Sequence, residues 1–120
     1  MIIAVRELGR ATRLFERAFG LDEHTEWEDA DLGARVRHLG ESPVFLAEAL
    51  GGAAELHQRL ERFRESPAAI LLGTRDMAAA AARLPLVEPS GDWDAARPEM
   101  RWIEPARVFG WRIGVLKTDR

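Results

Sequence analysis

Cysteine, asparagine and tyrosine are missing from this 120-residue chain, and Lys117 is the only lysine among its 17 Lys and Arg residues. Without cysteine there is no disulfide, no thiolate nucleophile and no Cys-ligated zinc, while the redox compartment stays unread. No apolar run approaches the roughly 20 residues of a membrane-spanning helix. Met1–Val5 is too short, and too soon followed by charge, for a secretion signal. A net charge of −3 and a pI near 5.6 give no cationic footprint for nucleic acid. These absences predict a cytoplasmic protein with no nucleic-acid and no membrane partner. Its 47% hydrophobic and 31% charged residues suit one soluble domain over 1–120. The arginine skew makes a guanidinium in a pocket a weaker functional signal than usual.

Catalytic motifs are equally scarce. Gly51-Gly52 lacks the following Lys of a phosphate loop, and Ser42, Ser66 and Ser90 sit beside proline in turns, outside any nucleophile elbow. Asp92 and Asp94 flank Trp93 in what reads as a solvated loop. No catalytic residue is identified and no cofactor is expected.

What the chain does have is an internal echo. Val5-Arg6-Glu7-Leu8-Gly9-Arg10-Ala11-Thr12-Arg13-Leu14-Phe15 is answered by Thr74-Arg75-Asp76-Met77 and the alanine run to Arg83-Leu84. Each copy is a short apolar strand, an acidic turn and a helix, with Glu7 and Asp76 expected as N-caps. Each is followed by period-2 alternation that predicts hairpins. One strand-helix-hairpin unit cannot bury its own apolar face, so a repeat of this length needs its twin.

Helical spacing predicts a first helix over Gly9–Phe19, with Ala11, Leu14, Phe15, Ala18 and Phe19 inward, Arg10, Arg13 and Arg17 outward, and Gly20 as its stop. Leu21–Leu32 is an acidic window around Trp27 and reads as an exposed strand and turn. Ala34–Leu39 and Val44–Ala49 form a hairpin about Gly40–Pro43. A bridging helix is expected over about 53–64, then a buried-type strand at Ala69–Leu72, a helix at Met77–Leu84, and a last hairpin from Met100–Glu104 and Trp111–Lys117.

Val5-Arg6-Glu7-Leu8-Gly9-Arg10-Ala11 followed by Leu14-Phe15-Glu16-Arg17-Ala18-Phe19-Gly20-Leu21 resembles the opening of the vicinal oxygen chelate superfamily, which includes glyoxalases, bleomycin-resistance proteins and extradiol dioxygenases. Leu71–Leu84 resembles the start of its second module. Pro105 with Phe109-Gly110-Trp111-Arg112-Ile113-Gly114-Val115 resembles its closing strand. The resemblance implies an α+β fold of two paired βαβββ modules, about 1–50 and 68–118. Their curved mixed sheet would surround a cleft with helices on the outer face. It also implies a homodimer with a small-molecule ligand.

Metal-using members carry His and Glu ligands on the first and last strands of the modules, leaving positions open for substrate oxygens. Counting back from Asp76 puts the second-module His position on Ala69, and counting back from Glu7 puts the first before Met1. The closing-strand Glu aligns with Gly114 and its first-module counterpart with Phe45. None is a donor, which implies a metal-free branch. A relocated site among His24, Glu26, His38 and Glu48 has no recognised ligand spacing, and rim histidines are the simpler reading.

Setting Phe45, Ala69 and Gly114 toward the cleft adds Ala47, Leu71, Gly73, Arg112 and Leu116 to the same face. Ile70, Leu72, Ile113 and Val115 would then pack under helices, and Trp111, in phase with Ile113, would be core. With Val36 assigned to that core, Arg35 and Arg37 would face the cleft. The expected ligand-binding set is therefore Arg35, Arg37, Phe45, Trp102, Arg112 and Leu116, suited to an amphipathic or anionic molecule. The acidic window around Trp27 points instead to a cation. The reading leans away from an enzyme, toward sequestration or sensing. A glyoxalase-type lyase, isomerase or dioxygenase using a relocated metal site, a structural or regulatory dimeric module, and a six-stranded ferredoxin-like domain are the alternatives.

Overall fold

Strand, helix and hairpin follow one another twice in the computed structural model, which describes residues 1–21, 24–52, 55–88, 98–108 and 111–119. The first unit is β1 (Ile2–Ala4), α1 (Leu8–Phe19), β2 (His24–Asp29), β3 (Ala34–Leu39) and β4 (Phe45–Ala49). Then α2 (Glu55–Phe63) leads to β5 (Ser66–Thr74), α3 (Met77–Arg83), β6 (Leu86–Val87), β7 (Met100–Ile103) and β8 (Ile113–Lys117). Asp22 and Glu23 of the acidic window, the expected start of the bridging helix at 53–54, the segment holding Ser90 and Trp93 that the sequence reads as a solvated loop, and Phe109-Gly110 lie outside the described residues.

The eight described strands form one sheet in the order β2-β3-β4-β1-β5-β8-β7-β6. This is the curved α+β architecture expected from the repeat, and its strand count removes the ferredoxin-like alternative. β1 runs parallel to β4 and β5 parallel to β8, while β1 and β5 meet antiparallel with Ile2 opposite Ala69. The two units are thus related by a pseudo-two-fold axis between the central strands.

The outer face is covered by two helices. Leu8, Ala11 and Phe15 of α1 pack on Ile3, Val5, Leu39, Val44 and Leu46. Met77 and Ala80 of α3 pack on Ile103, Ile113 and Val115. The inner face gathers Ile2, Trp27, Val36, Phe45, Ala47, Ala69, Met100 and Trp102 into one cluster, and α2 adds Leu56 and Leu60 to it. Each such large side chain taken from water contributes about 1.5–3 kcal/mol. The bridging helix therefore occupies part of the inner face, over β1, β4 and β5.

Helix ends differ in kind. Gly20 stops α1 in the left-handed region at φ 65°, its N–H donating to the Glu16 carbonyl at 2.8 Å. Pro85 stops α3, because the residue before proline is driven to extended geometry, and Leu84 has φ −118° and ψ 145°. At the N-termini, Asp76 accepts from the Ala79 N–H at 3.0 Å, as expected, whereas Glu7 makes no side-chain cap bond. Both residues have extended backbones. The extra methylene of Glu is the chemical difference between them.

Several burial expectations are corrected. Leu14, Ala18 and Phe19 of α1, expected inward, are exposed, while Trp27, expected on an exposed strand, is buried in the inner cluster. Ile70 and Leu72 are 52% and 48% exposed, because seven-residue α3 sits on β8 and leaves β5 uncovered. Trp111 is 62% exposed and does not join the core.

Candidate functional site

Strand pleating divides the expected site residues between the two faces. Phe45, Ala69, Trp102 and Leu116 belong to the inner cluster, with Gly114 against Trp102. Register places His38, Phe45, Ile2 and Ala69 in one row across β3, β4, β1 and β5. Arg112 immediately precedes β8 on the same face, its Cζ 5.5 Å from the Trp102 ring centroid.

Arg35 and Arg37 are on the other side, which corrects the expected cleft set. Val36 is a core residue of the inner face, so its neighbours in sequence point outward. Arg37 Nε and Nη2 donate to Glu26 Oε2 at 2.9 and 2.6 Å, and its Nη1 donates to Thr12 Oγ1 of α1 at 2.8 Å. Thr12 in turn donates to the Leu8 carbonyl. Arg35 pairs with Glu26 and Glu28. These two guanidinium groups tie the first hairpin to itself and, through Thr12, to its helix.

The concave side is bridged at its mouth. Arg112 Nη2 donates to Glu55 Oε2 at 2.8 Å and to the Asp31 carbonyl in the β2–β3 turn at 3.5 Å. One cation thereby joins the second module to α2 and to the far wing of the first. Deeper in, the Nε1–H groups of Trp27 and Trp102 are buried with no hydrogen-bond partner among the described residues. A buried donor left unpaired costs about 1–3 kcal/mol, which an acceptor oxygen placed there would offset.

The positions that the resemblance assigns to cation ligands, Phe45, Ala69 and Gly114, carry no donor side chain. A Cβ on Gly114 would come within 2.8 Å of Leu71 Cδ2 and 3.1 Å of the Trp102 ring. No Glu fits without displacing both. Phe45 lies between His38, stacked at 4.1 Å and 7°, and Trp27, edge-on at 6.0 Å. Among the described residues no three His, Asp or Glu side chains form a group that could hold a metal ion. The relocated set is split across the sheet, because Glu26 and Glu48 face Arg37 and Arg35 in register, while His38 faces Phe45. These residues do not fit a cation at the superfamily's usual positions.

His38 is the functional candidate that sequence reasoning passed over as a rim residue. Its Nε2 is 2.7 Å from the Ser42 carbonyl. A carbonyl only accepts, so Nε2 carries a proton, and in the neutral ring Nδ1 is then the acceptor. The signal was present: His38 alternates in step with Val36, the inner-face residue.

No protein-family model matches the chain, and no curated protein matches its sequence. Solved structures do. A variant of Streptomyces coelicolor methylmalonyl-CoA epimerase in complex with 2-nitronate-propionyl-CoA superposes with a TM-score of 0.76 at 15% identity, covering 99% of this chain and 94% of that one. Methylmalonyl-CoA epimerase from Mycobacterium tuberculosis gives 0.74 at 18%, covering 99% and 85%. A hypothetical protein from Bacillus halodurans gives 0.69 at 13%, covering 99% and 91%.

The chain shares the fold of these methylmalonyl-CoA epimerases. The leaning away from an enzyme is corrected by these neighbours, since the proteins that share the fold over nearly the whole chain include epimerases. No helix of the described residues is long and apolar enough to cross a membrane.

Proposed function

We propose that the inner face binds a small molecule rich in oxygen acceptors and that the protein interconverts isomers of it by proton transfer, with no cation at positions 45, 69 and 114. The observation that carries this reading is the lining itself: two unpartnered indole N–H groups and the Arg112 guanidinium offer donors, while Gly114 has no room for a ligating side chain. His38 is the candidate base, through the lone pair of Nδ1. Glu55 is mostly exposed, so its pair with Arg112 is worth about 0–1 kcal/mol and gives way to an incoming carboxylate.

Methylmalonyl-CoA, bound in one of the similar epimerase structures, carries such acceptors and an exchangeable proton next to the thioester carbonyl. The test is proton NMR of this thioester with the protein in D2O. The expected result is catalysed loss of the C2 proton signal, unchanged by EDTA and slowed by about 10²-fold or more in His38→Ala. Arg112→Ala should weaken binding by about 2 kcal/mol, roughly 30-fold. No catalysed exchange, or exchange that EDTA abolishes, overturns the proposal.

We assign the chain to the cytoplasm as one domain over 1–120, acting as a homodimer with no nucleic-acid or membrane partner. The dimer rests on Ile70, Leu72 and Trp111, apolar side chains about half exposed or more. Light scattering at micromolar concentration should give twice 13.5 kDa, and a single 13.5 kDa species counts against it.

A further inference from the structure

The outer face carries a second candidate site, independent of the inner one. Beside α1 lies a groove of about 750 Å³, within the size range of small-molecule sites. Its apolar lining is Ile3, Val5, Ala11, Phe15 and Leu14, the last 65% exposed. Its charged lining residues are Arg6, Glu7 and Glu65 and, on α1 itself, Arg10, Arg13 and Arg17. At spacings of three and four residues these arginines follow one flank of the helix, about 10 Å from first to last at 1.5 Å per residue.

The charges are not balanced within the fold. Arg6, at one end, is held by Glu61 at 3.4 Å and by Glu65, which accepts from its backbone N–H at 3.3 Å. Arg10, Arg13 and Arg17 have neither an ion pair nor a hydrogen bond from their side chains among the described residues. Three such guanidinium groups over an apolar floor ask for an occupant that is apolar along its length and anionic at its edge. A second copy of the chain is a poor occupant, because a two-fold contact through this flank would set like charges against each other.

We propose that this groove binds an amphipathic anion, an aliphatic chain ending in a carboxylate. The chain lies on Leu14, Phe15 and Ile3, and the carboxylate takes paired hydrogen bonds from the arginines of α1. The site is separate from Arg112 and His38, and neither is needed for it.

Calorimetric titration with laurate below its micelle concentration tests this, with dodecyltrimethylammonium as the chain of opposite charge. The structure leads us to expect one laurate per chain, no binding of the cation, and an affinity lowered at least about tenfold in the Arg10→Glu/Arg13→Glu double variant. Leu14→Asp, at an exposed position, should weaken laurate similarly while the circular dichroism spectrum stays native. Arg112→Ala should leave the titration unchanged, so a failed inner-face reading does not touch this one. Absence of laurate binding, equal binding of the two amphiphiles, or binding lost in Arg112→Ala but kept in the double variant overturns the proposal.

Discussion

Under α1, Val5, Leu8, Leu39 and Leu46 are all but closed to solvent, whereas beside α3 the corresponding central strand β5 shows about half of Ile70 and Leu72. The two units repeat the same order of elements, yet α1 has 12 residues and α3 only seven. At 1.5 Å per residue that is roughly 18 Å of cover against 10 Å. Pro85 sets the shorter length, and alanines make up most of what remains. The shorter helix has an Asp76 cap, while the longer one does without a cap and is held by packing and by Arg37 through Thr12. A duplicated unit thus keeps its topology while each copy finds its own way to hold a helix on the sheet. In the second copy the outer face of β5 stays uncovered.

The largest test of this contrast lies on the inner face. Gly114→Glu should cost more than about 3 kcal/mol in urea unfolding, since it forces a charged side chain between Leu71 and Trp102. A cost under about 1 kcal/mol would mean that the position has room for a metal ligand after all. Next, Leu46→Ala should cost about 2–5 kcal/mol and Leu72→Ala less than about 1 in the monomer, because only the first is sealed. Equal losses would erase the difference between the halves. Smallest is the pair of caps: Asp76→Ala should cost about 1 kcal/mol, Glu7→Ala less than about 0.5, and Glu7→Asp should stabilise by a few tenths. A full unit lost on Glu7→Ala would show that α1 is capped in solution.

Legibility in the sequence followed the strength of each physical constraint. The repeat, the hairpins and Gly20 were readable because strand pleat and helix period leave few choices, whereas the shared phase of Phe45 and Ala69 came with the family resemblance and only its extension to Leu116 from the pleat. The side taken by Arg35 and Arg37 was not. A two-residue period says that Val36 and Arg37 point opposite ways, but both faces of β3 are buried, by Val36 on one side and Leu39 on the other. Apolarity cannot choose between two buried faces, and the same choice hid His38. Trp111 was misjudged for a related reason: it shares a phase with Ile113 but lies before β8, beyond the reach of α3. The bridge from Arg112 to Asp31 joins residues 81 positions apart, a distance no local pattern encodes.

The place of β1 also sets a timetable. Three residues near the start of the chain become the middle of the sheet, bonded to β4 on one side and to β5 on the other. On a ribosome adding roughly 5–20 residues per second, the first unit is complete a few seconds before β5 has been made. For that interval β1 offers an open edge, its N–H and C=O groups aligned and unclaimed. Any β5 can claim them, including that of a neighbouring chain on the same message. The bonds that join the halves of one molecule would then join halves of two, and a domain-swapped dimer would be the form that error takes.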